Sequence, residues 1–156
     1  IAVVLGIHSV FISIGLTNTI FGVILVHLIP TVPYMTLVMS AIFSNFDADF
    51  EYQARSLGAS SLKAFYYITL PAILPGVVIG GLFAFLVSWS QYILTLVIGG
   101  GKILTLPLLL FSFATSGRND ITGAIGIIYI LPGIIILIFT TKYLSRRNVI
   151  GVFERI

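Results

Sequence analysis

The sequence predicts an all-α polytopic membrane protein, a bundle of transmembrane helices. Composition gives the first reason: of 156 residues, 58% are hydrophobic and 8% charged, whereas a soluble domain carries roughly a quarter charged residues. Contiguity gives the second. A bilayer core about 30 Å thick needs about 20 apolar residues to be crossed by a helix, and Ile20–Phe43, Ala72–Ile98 and Ile121–Thr141 hold no Asp, Glu, Lys or Arg. The third is a single polar interruption, Asp47 to Pro71, that concentrates charge in a chain otherwise avoiding it.

In chain order, Ile1–Leu16 reads as a partial span. Opening on Ile1, without Met and already inside an apolar run, it suggests an incomplete chain, with further helices expected before it. No basic flank or small-residue cleavage pattern favours a signal peptide. The span over residues 20–43 carries Pro30 and Pro33, each of which removes a helix hydrogen bond and favours a kink. It also carries His27, which reads as a packing or hydrogen-bonding residue, because no acidic residue or cysteine is near it in sequence. Neither His27 nor His8 makes a metal site.

The segment FDADFEYQARSLGASSLKAFYYITLP, residues 46–71, is patterned as two short helices. Asp47 and Asp49 suit a helix N-terminus, Phe50, Ala54 and Leu57 recur at near-helical spacing, and Gly58 suits a C-terminal cap. Ser60 caps a second helix, with Leu62, Phe65 and Tyr66 on its apolar face and Pro71 as its end. Such a knob equally fits an amphipathic loop lying on the bilayer surface.

The third span, residues 72–98, places Gly76 and Gly80 at GxxxG spacing, with Gly81 and Ala84 beside them, for close helix approach. Its polar cluster, Ser88, Trp89, Ser90, Gln91, Tyr92 and Thr95, suits either interhelical hydrogen bonding or a translocation pathway, for which Ser88, Ser90, Gln91, Tyr92 and Thr95 are the candidates. Beyond a Gly99–Gly101 turn, Ile103–Thr115 is too short to span and is broken by Pro107, as in a re-entrant or interfacial segment, or a plain linker. Asp120 caps the last span, residues 121–141.

The cations follow topology rather than nucleic acid. Arg55, Lys63, Lys142, Arg146, Arg147 and Arg155 fall on one side of this arrangement and Lys102 and Arg118 on the other. Short loops rich in Lys and Arg stay in the cytoplasm, so residues 46–71 and the C-terminus are expected inside. Without cysteine, thiolate chemistry and disulfides are excluded here. A phosphate-cradling GxxxxGK[ST] loop is also missing, and no nucleophile has a base at interpretable spacing, so neither an ATPase nor another enzyme is expected in this chain.

Gly58, followed after nine residues by Ile68-Thr69-Leu70-Pro71 and surrounded by Ala54, Arg55, Leu57 and Ala59, resembles the EAA loop of type I binding-protein-dependent ABC importer permeases. His27, Pro33 and the Pro75-Gly76 pair resemble its polyamine, iron and thiamine branch, while the sugar branch usually has Asp where Leu57 stands. The pattern departs from the family at Tyr52, which occupies the usual acidic position. Glu51 lies one place earlier, about 100° around a helix, and Gln53 replaces the usual alanine.

That resemblance implies that residues 1–156 are the C-terminal part of one permease domain. Glu51, Ala54, Arg55, Leu57, Gly58 and Ala59, with Ser60, Leu62, Phe65, Tyr66, Ile68, Leu70 and Pro71, would then couple to a cytoplasmic ABC ATPase pair. It also implies a second permease subunit, an extracytoplasmic substrate-binding protein and a small polar or charged nutrient. ATP and magnesium would sit on the ATPase, with no cofactor in this chain. The competing readings are an ATP-independent secondary transporter, for which mid-membrane ionisable residues other than His27 are lacking, and a scaffold, which leaves the knob unexplained.

Overall fold

The computed structural model describes residues 2–151, with side chains described through residue 142. Among these residues the regular structure is entirely helical: α1 (Ala2–Ser13), α2 (Ile20–Ser44), α3 (Asp49–Ser56), α4 (Ser61–Ala64), a π turn (Phe65–Thr69), α5 (Leu70–Trp89), α6 (Ile93–Gly99), α7 (Leu106–Thr115) and α8 (Asn119–Gly151). Three stretches are long and apolar enough to cross a membrane, Ile20–Ser44, Ser61–Trp89 and Asn119–Lys142. The expected fold class and the number of full spans therefore hold, and α1 is the expected shorter apolar helix. Arg155 lies outside the described residues.

Two expected boundaries are corrected. Residues 72–98 do not form one helix: α5 ends at Trp89 and α6 begins at Ile93. Nor does Pro71 end the second knob helix, which runs on through α4, the π turn and α5 to Trp89. A proline ring clashes with the carbonyl four residues back. Here the turn just before Pro71 is widened to i→i+5 bonding, with the Leu70 amide donating to the Phe65 carbonyl, and such π turns absorb local misfit inside α-helices.

At the other end of the chain, Pro107 sits in the first turn of α7, where its missing N–H removes no intrahelical bond. It thus opens a helix rather than breaking an apolar stretch. Asp120 is likewise not the cap: α8 starts at Asn119 and Asp120 lies in its first turn, where its charge still favours the positive helix end.

The chain divides into two compact units. One runs from Pro30 to Phe85. Within it, a Cβ on Gly76 would come to 2.6 Å from Ile42 Cδ1, and one on Gly80 to 2.7 Å from Val38 Cγ1 and 3.2 Å from Met35 Sδ. The GxxxG pair therefore does allow α2 and α5 to approach. Gly81, by contrast, faces open space.

The other unit comprises the described residues up to Ile29 and from Leu86 on. Its core joins Phe11, Val26 and Ile98, flanked by Ile7, Leu16, Leu94 and Val97. Gly100 adopts φ +55°, and a Cβ there would collide with the Asn18 amide oxygen, so the turn after α6 needs glycine. Asn18 itself donates its backbone N–H to the Ile98 carbonyl at 2.7 Å. Outer faces of α8 expose Ile127, Ile130, Ile135, Leu137 and Phe139, as expected of a helix solvated by lipid or by other helices rather than water.

Candidate functional site

The polar segment of residues 46–71 folds as its local sequence dictates. The Asp47 carboxylate accepts the Asp49 N–H at 2.9 Å, and Asp49 and Glu51 in the first turn of α3, with Arg55 in its last, complement the helix dipole. Gly58 takes φ +92°. Its N–H donates to the Arg55 carbonyl and that of Ala59 to the Ala54 carbonyl, both at 3.0 Å. This pair of bonds is the Schellman motif, with glycine at its left-handed position. Ser60, extended at ψ 156°, then accepts the Lys63 N–H on its hydroxyl at 3.4 Å and caps the next helix.

The apolar side chains of this knob point outward. Leu57 is 90% exposed, Leu62 79% and Tyr66 66%, with Phe65, Phe50 and Tyr52 also exposed. Ala54, Ala59 and Ile68 are half-buried, as is Leu70, while Arg55 and Pro71 are exposed. Among the expected residues, Glu51 turns inward: its carboxylate accepts the Thr69 hydroxyl at 3.0 Å, tying α3 to the π turn across 18 positions in sequence. Thr69 is buried, and although it lies in the Ile68 to Pro71 motif the sequence assigns it no role. The register change caused by the π turn, which apolar periodicity does not reveal, brings it to this position.

The polar cluster of the third apolar stretch surrounds the α5/α6 break. At the end of α5, the Ser90 hydroxyl and the Gln91 side-chain amide both donate to the Val87 carbonyl, at 3.0 and 3.2 Å, so two side chains occupy a carbonyl left free by the helix end. Ser88 and Thr95 both meet His27. The distances are 2.9 Å from Nδ1 to the Ser88 hydroxyl and 2.8 Å from Nε2 to the Thr95 hydroxyl. Thr95, fully buried, gives its own proton to the Gln91 carbonyl at 2.9 Å. A hydroxyl has one proton, so Thr95 accepts from Nε2–H, an assignment made from the network.

Ser90 and Tyr92 point elsewhere, lining a cavity of about 330 Å³ with Pro107, Leu110, Phe111, Ala114 and Tyr129. Tyr92 tilts against Phe111 with ring centroids 4.4 Å apart. Trp89 stacks on Tyr129 at 6.3 Å and donates its indole N–H to the Tyr129 carbonyl at 3.2 Å. The five pathway candidates therefore divide: Ser88 and Thr95 meet His27 on either side of the break, Gln91 finishes α5, and Ser90 and Tyr92 line the cavity. Tyr129 is an addition that sequence separation concealed.

Three membrane-length apolar helices with an ordered polar knob between two of them fit a multi-pass membrane protein. The chain belongs to the family described as binding-protein-dependent transport system inner membrane component, whose model matches residues 1–149. It is 34% identical over 123 residues to the putrescine transport system permease protein PotI of Escherichia coli strain K12, covering 79% of this chain and 43% of that protein. It is 26% identical over 148 residues to the spermidine/putrescine transport system permease protein PotC of Haemophilus influenzae, covering 95% and 57%. Against the molybdenum transport system permease protein ModB of the same organism it is 30% identical over 130 residues, covering 81% and 56%. The chain thus spans about half the length of these relatives. They are permease proteins of transport systems, putrescine and spermidine/putrescine systems among them, and an inner-membrane location accords with the apolar helices.

Proposed function

We propose that this chain forms part of the membrane-spanning subunit of an ATP-binding-cassette importer and couples to a separate cytoplasmic ATPase through the knob of residues 46–71. One observation carries the reading: a polar segment held rigid by a glycine-centred Schellman motif and a serine cap presents Leu57, Leu62 and Tyr66 outward. Large apolar side chains exposed together mark an interaction surface. In this reading Gly58 sets the angle between two short helices, Glu51 and Thr69 brace them, and the apolar face seats in a groove on the ATPase. ATP and magnesium bind on that partner.

Residues 1–156 act as the C-terminal part of a permease domain, paired with a second permease subunit of the same or a homologous kind. An extracytoplasmic binding protein delivers the substrate. The knob and the C-terminus lie on the cytoplasmic side, in keeping with Arg55, Lys63 and the cations from Lys142 on. ATP-driven closure of the ATPase pair favours one arrangement of the helices over another, and a partner shifts such an equilibrium only by binding one state better. The substrate is a small polar or charged nutrient, a class that includes what the relatives' names specify, and the pathway runs past Ser88, Ser90, Gln91, Tyr92 and Thr95.

Purification of the full-length protein with its natural partners tests the reading. An ATPase subunit is expected to co-purify with the wild type and to be lost from a Leu62→Glu variant that still inserts in the membrane. Retention of the ATPase by that variant at wild-type stoichiometry contradicts docking through the knob. Uptake driven by an ion gradient without ATP contradicts the importer class itself.

A further inference from the structure

The α5/α6 break falls at Ser90, Gln91 and Tyr92, with neither Gly nor Pro among them. Locally, the Ser90 hydroxyl and the Gln91 side-chain amide take the Val87 carbonyl, an insertion of side chains into the helix ladder. What spans the whole break is His27. In an unbroken α-helix Ser88 and Thr95 stand about 10.5 Å apart along the axis, at 1.5 Å per residue. One imidazole, its nitrogens about 2 Å apart, bridges two hydroxyls over less than about 8 Å at ordinary hydrogen-bond lengths. The observed bonds of 2.9 and 2.8 Å therefore fit the broken helix and strain a straight one.

We propose that His27 is the positioning residue that keeps α5 and α6 apart, and that without it residues 70–99 close into one continuous helix. His27 lies one residue from Val26, which is fully buried with Ile98 in the core of this unit, so the ring is held from a fixed base. Thr95 relays the tie to the chain by donating to the Gln91 carbonyl four residues back, the i−4 bond that threonines make along helices. The break in turn sets Ser90 and Tyr92 at the mouth of the cavity bounded by Phe111 and Tyr129. The step from helix geometry to transport rests on the permease reading above; the geometric step does not.

Hydrogen exchange on the full-length transporter in lipid nanodiscs separates the two. The first amides of a helix have no intrahelical acceptor, so those of residues 92–94 exchange fast in the wild type. His27→Leu is expected to slow them at least tenfold as the helix closes. Thr95→Val and Ser88→Ala, each removing one tie, are expected to slow them by less. His27→Gln, whose amide offers a donor and an acceptor about 2 Å apart, retains wild-type exchange.

Unchanged exchange in His27→Leu overturns the proposal. So does faster exchange throughout the unit, which marks His27 as a packing residue alone. Should His27→Leu fail to assemble, Thr95→Val and Ser88→Ala decide the matter by the same criterion. In proteoliposomes, His27→Leu is expected to lower the maximal transport rate at least tenfold, with ATPase binding unchanged and His27→Gln restoring the rate. A wild type that transports nothing, alongside the predicted exchange pattern, refutes the permease reading and leaves the helix tie standing.

Discussion

Two interruptions of the helices, at Gly58 and at residues 90–92, are held by different means. At Gly58 everything required lies within a few residues: a left-handed glycine, two Schellman bonds to Arg55 and Ala54, and a serine cap on the next helix. At residues 90–92 the decisive contacts come from His27, 61 and 68 positions away in sequence. A locally coded break persists whatever surrounds it, which suits a lever that must move as one piece. A break held by distant side chains exists only while they stay in place, which suits an element with two arrangements.

The contrast also explains what was legible in the sequence. Spans, caps and the glycine turn are written in composition, charge-free run length and short-range residue chemistry, so α2, α3, α8 and Ser60 were found close to their places. The α5/α6 break was missed because Ala72–Ile98 is free of charge and residues 90–92 hold neither Gly nor Pro. His27 was assigned a hydrogen-bonding role without partners, since sequence spacing does not pair it with Ser88 and Thr95. Pro71 misled for a subtler reason: a proline is a probable helix end, but here the π turn ahead of it accommodates the ring. Glu51 looked rotated away from its expected position, and its tie to Thr69 depends on that same π turn.

Substituting the locally coded turn is expected to have the largest effect. Gly58 meets no neighbouring atom where a Cβ would be, so Gly58→Asp is strained by its backbone alone, by about 1–2 kcal/mol. That is too little to prevent insertion but enough to swing the knob. Membrane levels are expected to stay normal while substrate uptake is lost; normal uptake with bound ATPase would show that the turn angle is irrelevant.

The contact between α2 and α5 comes next in size. Gly76→Ala meets Ile42 at Cδ1 and Cγ1, and Gly80→Ala meets Val38 Cγ1 with the flexible Met35 behind it, and both Ile and Val are stiff at χ1. Overpacking costs about 1–3 kcal/mol, and each substitution is expected within that range. Thermal unfolding in detergent checks this, and wild-type stability in either variant would contradict a close α2/α5 approach at that position.

The smallest effects concern the brace. Thr69→Val leaves the Glu51 carboxylate without this donor and is expected to destabilise the knob by about 1–2 kcal/mol. Glu51→Gln keeps an acceptor for Thr69 and is expected to lose less, roughly half as much. Exchange protection of the Glu51–Ser56 amides reads both variants, and equal losses would mean that charge rather than the hydrogen bond holds the two helices together.

Docking of an ATPase on the knob is tested most directly by site-directed cross-linking. Residues 1–156 contain no cysteine, so, once any cysteine elsewhere in the full-length chain is replaced, single thiols introduced by Leu57→Cys, Leu62→Cys and Leu104→Cys carry a low background. Leu57 and Leu62 lie on the exposed face of the knob, and Leu104 is an exposed residue ahead of α7. In the assembled transporter, cross-links to the ATPase are expected from Leu57→Cys and Leu62→Cys and not from Leu104→Cys. An ATPase that stays bound yet cross-links to neither knob position, or equally to Leu104→Cys, would contradict the account.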